Sequence, residues 1–209
     1  MALTFEAKDY RTAVEKYHEG WELLDAVLYR LCREHPDHSN IAGVTAKLFL
    51  IGRTYQTGIE RQMKSDGTQA GAMTRLSDYL FAQRKEVDAL IAPYLGAEGR
   101  VDAHTFAGVT KAHKGLVNLL QAETQGKKAQ SFVSKYLHFH APIVPIYDAL
   151  AVKAIRQLDL PASQIPSRAE GESQYATFVR RFVALASQAS KTEAGVTSKR
   201  LDQYLLSLA

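Results

Sequence analysis

The sequence predicts an all-α fold, a single multi-helix domain with a helix-hairpin-helix-like core, and three observations carry the fold class. Apolar residues recur at helical spacing in one segment after another. Short turn-rich separators divide those segments. Nowhere is there a run of period-two alternation long enough for a central sheet. Residues 5–34 place Val14, Tyr17, Trp21, Leu24, Val27, Leu28 and Leu31 on one stripe that stops at His35-Pro36-Asp37, which predicts one long helix with a kink near Gly20. Asn40 suits the cap of a second helix through about Lys64, striped by Val44, Leu48, Ile51, Tyr55 and Ile59 and ended by Ser65-Asp66-Gly67. Further helices are predicted at about 71–91 and 104–124, from Ser131 to Phe139, and at about 148–158. After the loop from Leu160 to Arg168, two closing helices at roughly 173–190 and 196–208 flank Gly195.

At 209 residues, with 46% of them hydrophobic, the chain is long enough for one sizeable core and short for two independent ones. Cys32 is the only cysteine and lies in a helical apolar pattern, so no intrachain disulfide is possible and a reducing, cytoplasmic setting is expected. The N-terminus lacks a basic segment followed by an apolar run, and no segment approaches the roughly 20 apolar residues that span a bilayer. Neither export nor membrane insertion is expected, and the chain is expected to be a monomer. Its formal charge of +4 is uneven: residues 1–100 carry 13 basic and 14 acidic side chains, and residues 101–209 carry 13 and 8. The basic second half suits a polyanionic partner, although solvated helix faces produce similar tilts.

The chemistry concentrates in residues 126–148. Gly126-Lys127-Lys128 is a basic turn before a helix, where unpaired backbone N–H groups and the helix dipole favour an anion such as a phosphate. Ser131 and Lys135 follow on that helix as further candidate backbone contacts. Pro145-Ile146-Tyr147 is an extended link, and Asp148 then opens the next helix. Asp is also a favoured helix N-cap, and paired lysines at a turn are ordinarily solvated, so each of these residues has a purely structural reading as well.

This order of turn, helix, proline-bearing link and aspartate resembles the core motif of the helix-hairpin-helix DNA glycosylase superfamily over about 33 residues, Gly126 to Leu158. The resemblance implies that the turn holds a DNA phosphate and that Asp148 is the catalytic carboxylate. Lys128 replaces the second hairpin glycine, and no cysteine cluster for iron and sulfur is present, so no cofactor is expected. Ala129-Gln130 stands where bifunctional members carry a lysine nucleophile, which points to a monofunctional hydrolase.

Such an enzyme flips its target nucleotide into an apolar or aromatic slot. Trp21, Tyr55, Phe139 and Tyr147 are candidate walls, although residues at such helical spacing are more often plain core. Arg53 and Arg61 bracket Tyr55 in a segment with Gly52 and Gly58, and two glycines within one helix cost stability unless something approaches closely. His138 and His140 are candidates for pocket or link contacts. As a metal site they lack the three or four converging ligands a metal needs, so no metal is expected. His35 and His38 flank a Pro-Asp turn and read as loop. DNA is the expected partner and excision of a damaged or modified base the expected reaction, in repair or in defence against modified phage DNA. The alternatives are a non-catalytic DNA-binding module and a protein-interaction domain.

Overall fold

The computed structural model describes residues 3–17, 21–64, 69–167 and 172–209. Among these, every regular element is helical, apart from an isolated parallel bridge between Leu3 and Leu158. The predicted helix over residues 5–34 is two helices, α1 (Ala7–Tyr17) and α2 (Glu22–Glu34). Trp21 is 47% exposed, so the apolar stripe that suggested continuity does not run through it. The kink assigned to Gly20 lies outside the described residues.

The second predicted helix also divides. α3 (Ile41–Phe49) starts at Asn40, whose side chain accepts the Ala42 N–H at 3.0 Å. The helix then widens into a π turn over Leu50–Thr54, passes through left-handed Gln56 (φ 48°) and Gly58 (φ 66°), and resumes as α4 (Ile59–Gln62). The break has a local cause: both the N–H and the hydroxyl of Thr57 turn back onto the Gly52 carbonyl, at 3.2 and 3.1 Å. A Cβ on Gly52 would meet Met73 Cε at 3.0 Å and Ile59 Cγ2 at 3.2 Å. The close approach that glycine permits there is internal packing. The Ser65-Asp66-Gly67 stop lies outside the described residues.

The segment predicted at 71–91 is α5 (Gln69–Ala82) and α6 (Arg84–Ile91), divided at Gln83. There the Arg84 guanidinium donates to the Phe81 carbonyl at 3.0 Å, satisfying an acceptor close to the break. The remaining helices match expectation to within a few residues: α7 (Phe106–Leu120), α8 (Gln130–His140), α9 (Ala149–Gln157), α10 (Gln174–Ala189) and α11 (Ser198–Ser207). Asp148, Ser173 and Thr197 cap the last three through side-chain oxygens that accept an N–H of the first turn.

Two compact units emerge from the packing. One comprises residues up to Leu23, Ala97–Lys111 and Pro142–Ala209, and the other Leu24–Gly96 and Ala112–Ala141. In the first unit, α11 packs against α1 and α9, and Tyr204 meets Phe5 and Tyr10 edge-on at 5.3 and 6.0 Å between ring centres. In the second, α3 packs on α5, and α8 meets the π turn. α8 is buried all round, from Phe132 to His140. A helix with no solvent face needs an internal partner for each polar group, and that requirement shapes the region described next. No helix among the described residues is long and apolar enough to cross a membrane.

Candidate functional site

The basic turn lies between α7 and α8. Gln125 (φ 53°) and Gly126 (φ 75°) are both left-handed, and the Thr124 hydroxyl closes the turn on the Lys127 carbonyl at 2.6 Å. Gly126, Lys127 and Lys128 are exposed. α8 opens at Gln130, two residues beyond Lys128, and Ala129 at its N-cap offers no side-chain acceptor. The Gln130 N–H turns back onto the Lys128 carbonyl at 2.8 Å, and no side-chain cap serves the N–H groups that follow it.

Residues further along α8 turn inward. Lys135 is only 6% exposed, its ammonium 3.3 Å from the Ser131 hydroxyl, so of the candidate phosphate contacts it is interior and Ser131 half-buried. His138 is fully buried with Nε2 2.5 Å from the Tyr29 hydroxyl. His140 is buried with Nδ1 2.8 Å from the Tyr136 carbonyl and Nε2 3.1 Å from the Lys47 ammonium. An ammonium can only donate, so Nε2 accepts and the proton sits on Nδ1.

Lys47 donates as well to the carbonyls of His35 and Asp37, at 2.9 and 3.1 Å, which uses all three of its protons. His38 completes the cluster, with Nδ1 2.6 Å from an Asp88 oxygen and Nε2 2.6 Å from the Tyr136 hydroxyl. Desolvation lowers the pKa of Lys47, His38 and, most strongly, His140, and raises that of Tyr136. The cluster ties α8 to α3, α6 and the loop after α2, and so fixes the helix that the basic turn opens.

The link to α9 is held in the first unit. Proline at 142 and 145 cannot donate to a helix or ladder, so the carbonyls of this extended stretch need donors from elsewhere. Ser198 donates to the Ile143 carbonyl at 2.7 Å, and Tyr175 to the Pro145 carbonyl at 3.0 Å. Asp148 follows, half-buried, with extended backbone and Oδ1 accepting the Ala151 N–H at 2.8 Å. At the far end of α9, Arg181 donates to the carbonyls of Ile155 and Leu158, at 2.7 to 3.1 Å. Both ends of the helix that carries the carboxylate are anchored.

A small, partly open pocket lies beside α9 and α10. Tyr147, Phe178 and Ile155 wall it, and Arg156, Gln174 and Thr177 are polar members of its lining. The Tyr147 and Phe178 rings meet nearly at right angles, 87°, with centres 5.4 Å apart. Burial raises the Tyr147 phenol pKa while the Arg156 charge pulls it down, which places that guanidinium in electrostatic reach of the ring.

Of the other aromatic and basic candidates, Arg53 and Arg61 line one open surface hollow with Gln56 and Glu60. Arg53 pairs with Glu60 at 2.7 Å and lies over the Phe49 ring at 4.7 Å. Tyr55 is half-buried, donates to Asp25, and stands 5.2 Å from Phe139. Trp21 and Tyr147 belong to the first unit, whereas Tyr55, Arg53, Arg61, His138 and His140 belong to the second.

Sequence reasoning missed the interior cluster and most of the Tyr147 pocket. Lys47 carried a readable signal, since it falls between Val44 and Leu48 on the apolar stripe of α3, where an unpartnered lysine would be costly. His38 carried none, because its burial depends on Asp88 and Tyr136, which are 50 and 98 residues away. No protein-family model matches the chain, nor does any curated protein or solved structure.

Proposed function

We propose that the chain is a DNA glycosylase-like hydrolase that releases a damaged or modified base and leaves an abasic site. The observation that carries this reading is the setting of Asp148: a half-buried carboxylate fixed at the start of a doubly anchored helix, directly after a pocket-lining aromatic residue. Cleaving an N-glycosidic bond builds positive charge on the sugar, and a carboxylate that does not have to reorganise stabilises that charge or orients the attacking water. Water supplies hydroxyl to the sugar carbon and a proton to the departing base. The exposed Lys127-Lys128 turn before an uncapped helix supports a sequence-independent backbone contact.

The bond from Ala151 to Asp148 also favours a second reading, a DNA-binding module in which the aspartate only caps α9. One substitution separates the two. Asn caps as well as Asp but carries no charge, so Asp148→Asn retains the helix start and removes the chemistry. With duplexes and single strands bearing a panel of modified bases, the wild type is expected to release base and generate alkali-labile abasic sites. Asp148→Asn is expected to lose about a hundredfold or more in rate with DNA affinity unchanged. Equal excision by both proteins removes Asp148 from the chemistry, and no excision from any substrate favours the module.

A further inference from the structure

We infer that the pocket between Tyr147 and Phe178 is a nucleobase site that selects bases rich in carbonyl oxygens over bases that present exocyclic amines. The ligand class rests on the glycosidase reading above, while the polarity argument rests on the lining alone. The buried Phe178 ring braces the half-buried Tyr147 ring edge-on at 87°, so a planar heterocycle can lie against Tyr147. Ile155 adds an apolar wall. Asp148 is the residue after Tyr147 in the chain, with their Cα atoms about 3.8 Å apart, and is not itself part of the lining.

The polar lining is donor-rich. Arg156 presents a guanidinium that can only donate, and Gln174 presents an amide with two N–H donors and one carbonyl acceptor. Both are exposed, and among the described residues neither has a hydrogen-bond or ion-pair partner, so these groups are available to a ligand. Thr177 directs its hydroxyl proton to Glu172, at 3.3 Å, which leaves only acceptor capacity on that oxygen. Arg181 has turned its donors onto the end of α9 and contributes its flat stem and positive charge. Among the described residues no carboxylate belongs to the lining, which disfavours a cationic ligand. A base with two carbonyls and a ring N–H matches this pattern: carbonyls to Arg156 and Gln174, ring N–H to Thr177. An amino base that set its exocyclic N–H groups against Arg156 would meet a group that can only donate and would forgo that hydrogen bond.

The full chain would be titrated with free uracil and with free adenine, followed by NMR. Saturable binding of uracil at least about tenfold tighter than adenine is expected. Gln174→Ala and Arg156→Ala, both at exposed positions, should each weaken uracil about three- to tenfold and narrow the preference. Adenine binding as tightly as uracil, absence of saturable uracil binding, or variants indistinguishable from wild type would overturn the assignment. Uracil binding of the expected kind with no base release from DNA removes the glycosidase reading and leaves the pocket. Base release that is insensitive to both substitutions removes the pocket and leaves Asp148.

Discussion

At the scale of single residues, Asp148 performs one role that can be measured without any knowledge of substrate. Its Oδ1 satisfies the Ala151 N–H, one of the donors that an isolated helix start leaves unpaired. Asp148→Ala should therefore cost about 1 kcal/mol of stability and Asp148→Asn only a few tenths, measured by urea unfolding. A destabilisation by Asn as large as that by Ala would show that the charge, and not the cap, supports the fold there. This residue was legible in the sequence because a cap is a local event: its acceptor and its donor are three positions apart. Lys47 was half legible, since its place on an apolar stripe announces burial but not its three acceptors. Tyr136 and His38 were illegible, since a hydrogen bond between residues 98 apart leaves no trace in local periodicity. The donors at Arg156 and Gln174 escaped notice for the same reason, because the pocket wall they share joins two helices distant in sequence.

Among the elements, helix positions were readable and helix continuity was not. α7 to α11 emerged close to their predicted bounds because apolar spacing and capping residues agree there. The long segments over residues 5–34, 40–64 and 71–91 each contain a break that periodicity bridges. Gly52 shows why: its neighbours still fall on a helical stripe, but the Thr57 bonds to its carbonyl close a turn that spacing cannot report. The basic turn between α7 and α8 is the element with the clearest functional expectation. Lys127 and Lys128 are exposed and the helix after them lacks a side-chain cap, so their contribution to DNA binding should be electrostatic and indifferent to sequence. Replacing both by alanine should weaken binding to all duplexes alike and reduce the salt slope by about one unit for each phosphate no longer neutralised. A salt slope identical to wild type would return the two lysines to the role of a solvated turn. Because neither side chain is buried, folding stability should change by no more than about 0.5 kcal/mol, so weakened DNA affinity would not reflect damaged structure.

For the whole molecule, the buried histidines impose a pH dependence whose sign follows from their surroundings. Desolvation lowers the pKa of His38 and His140 and brings His113 to about 4, against an ordinary histidine value near 6.5 in the unfolded chain. Above about pH 6.5 these rings are neutral in both states, and titration favours neither. As the pH falls below that value the unfolded chain takes up protons that the folded protein refuses, so stability declines through the window and levels off for His113 only below about pH 4. Each fully refused proton costs about 1.4 kcal/mol per pH unit, so His113 alone amounts to about 3 kcal/mol across the window. Asp88 works against this at His38, because its carboxylate favours the charged ring, whereas the Lys47 charge reinforces the loss at both His38 and His140. The carboxylates whose pKa values are lowered, Asp37 and Asp102, lose their contribution only below their ordinary range near 4 and so do not obscure the histidine window. Urea midpoints measured from pH 7.5 down to pH 4.5 should therefore fall steadily below about pH 6.5, and His113→Gln should flatten the decline by up to one proton. A midpoint that holds constant from pH 7 to pH 5 would mean that these rings reach water or find acceptors when protonated. The Lys47–His140 cluster would then be a looser, hydrated region and not a dry anchor for α8.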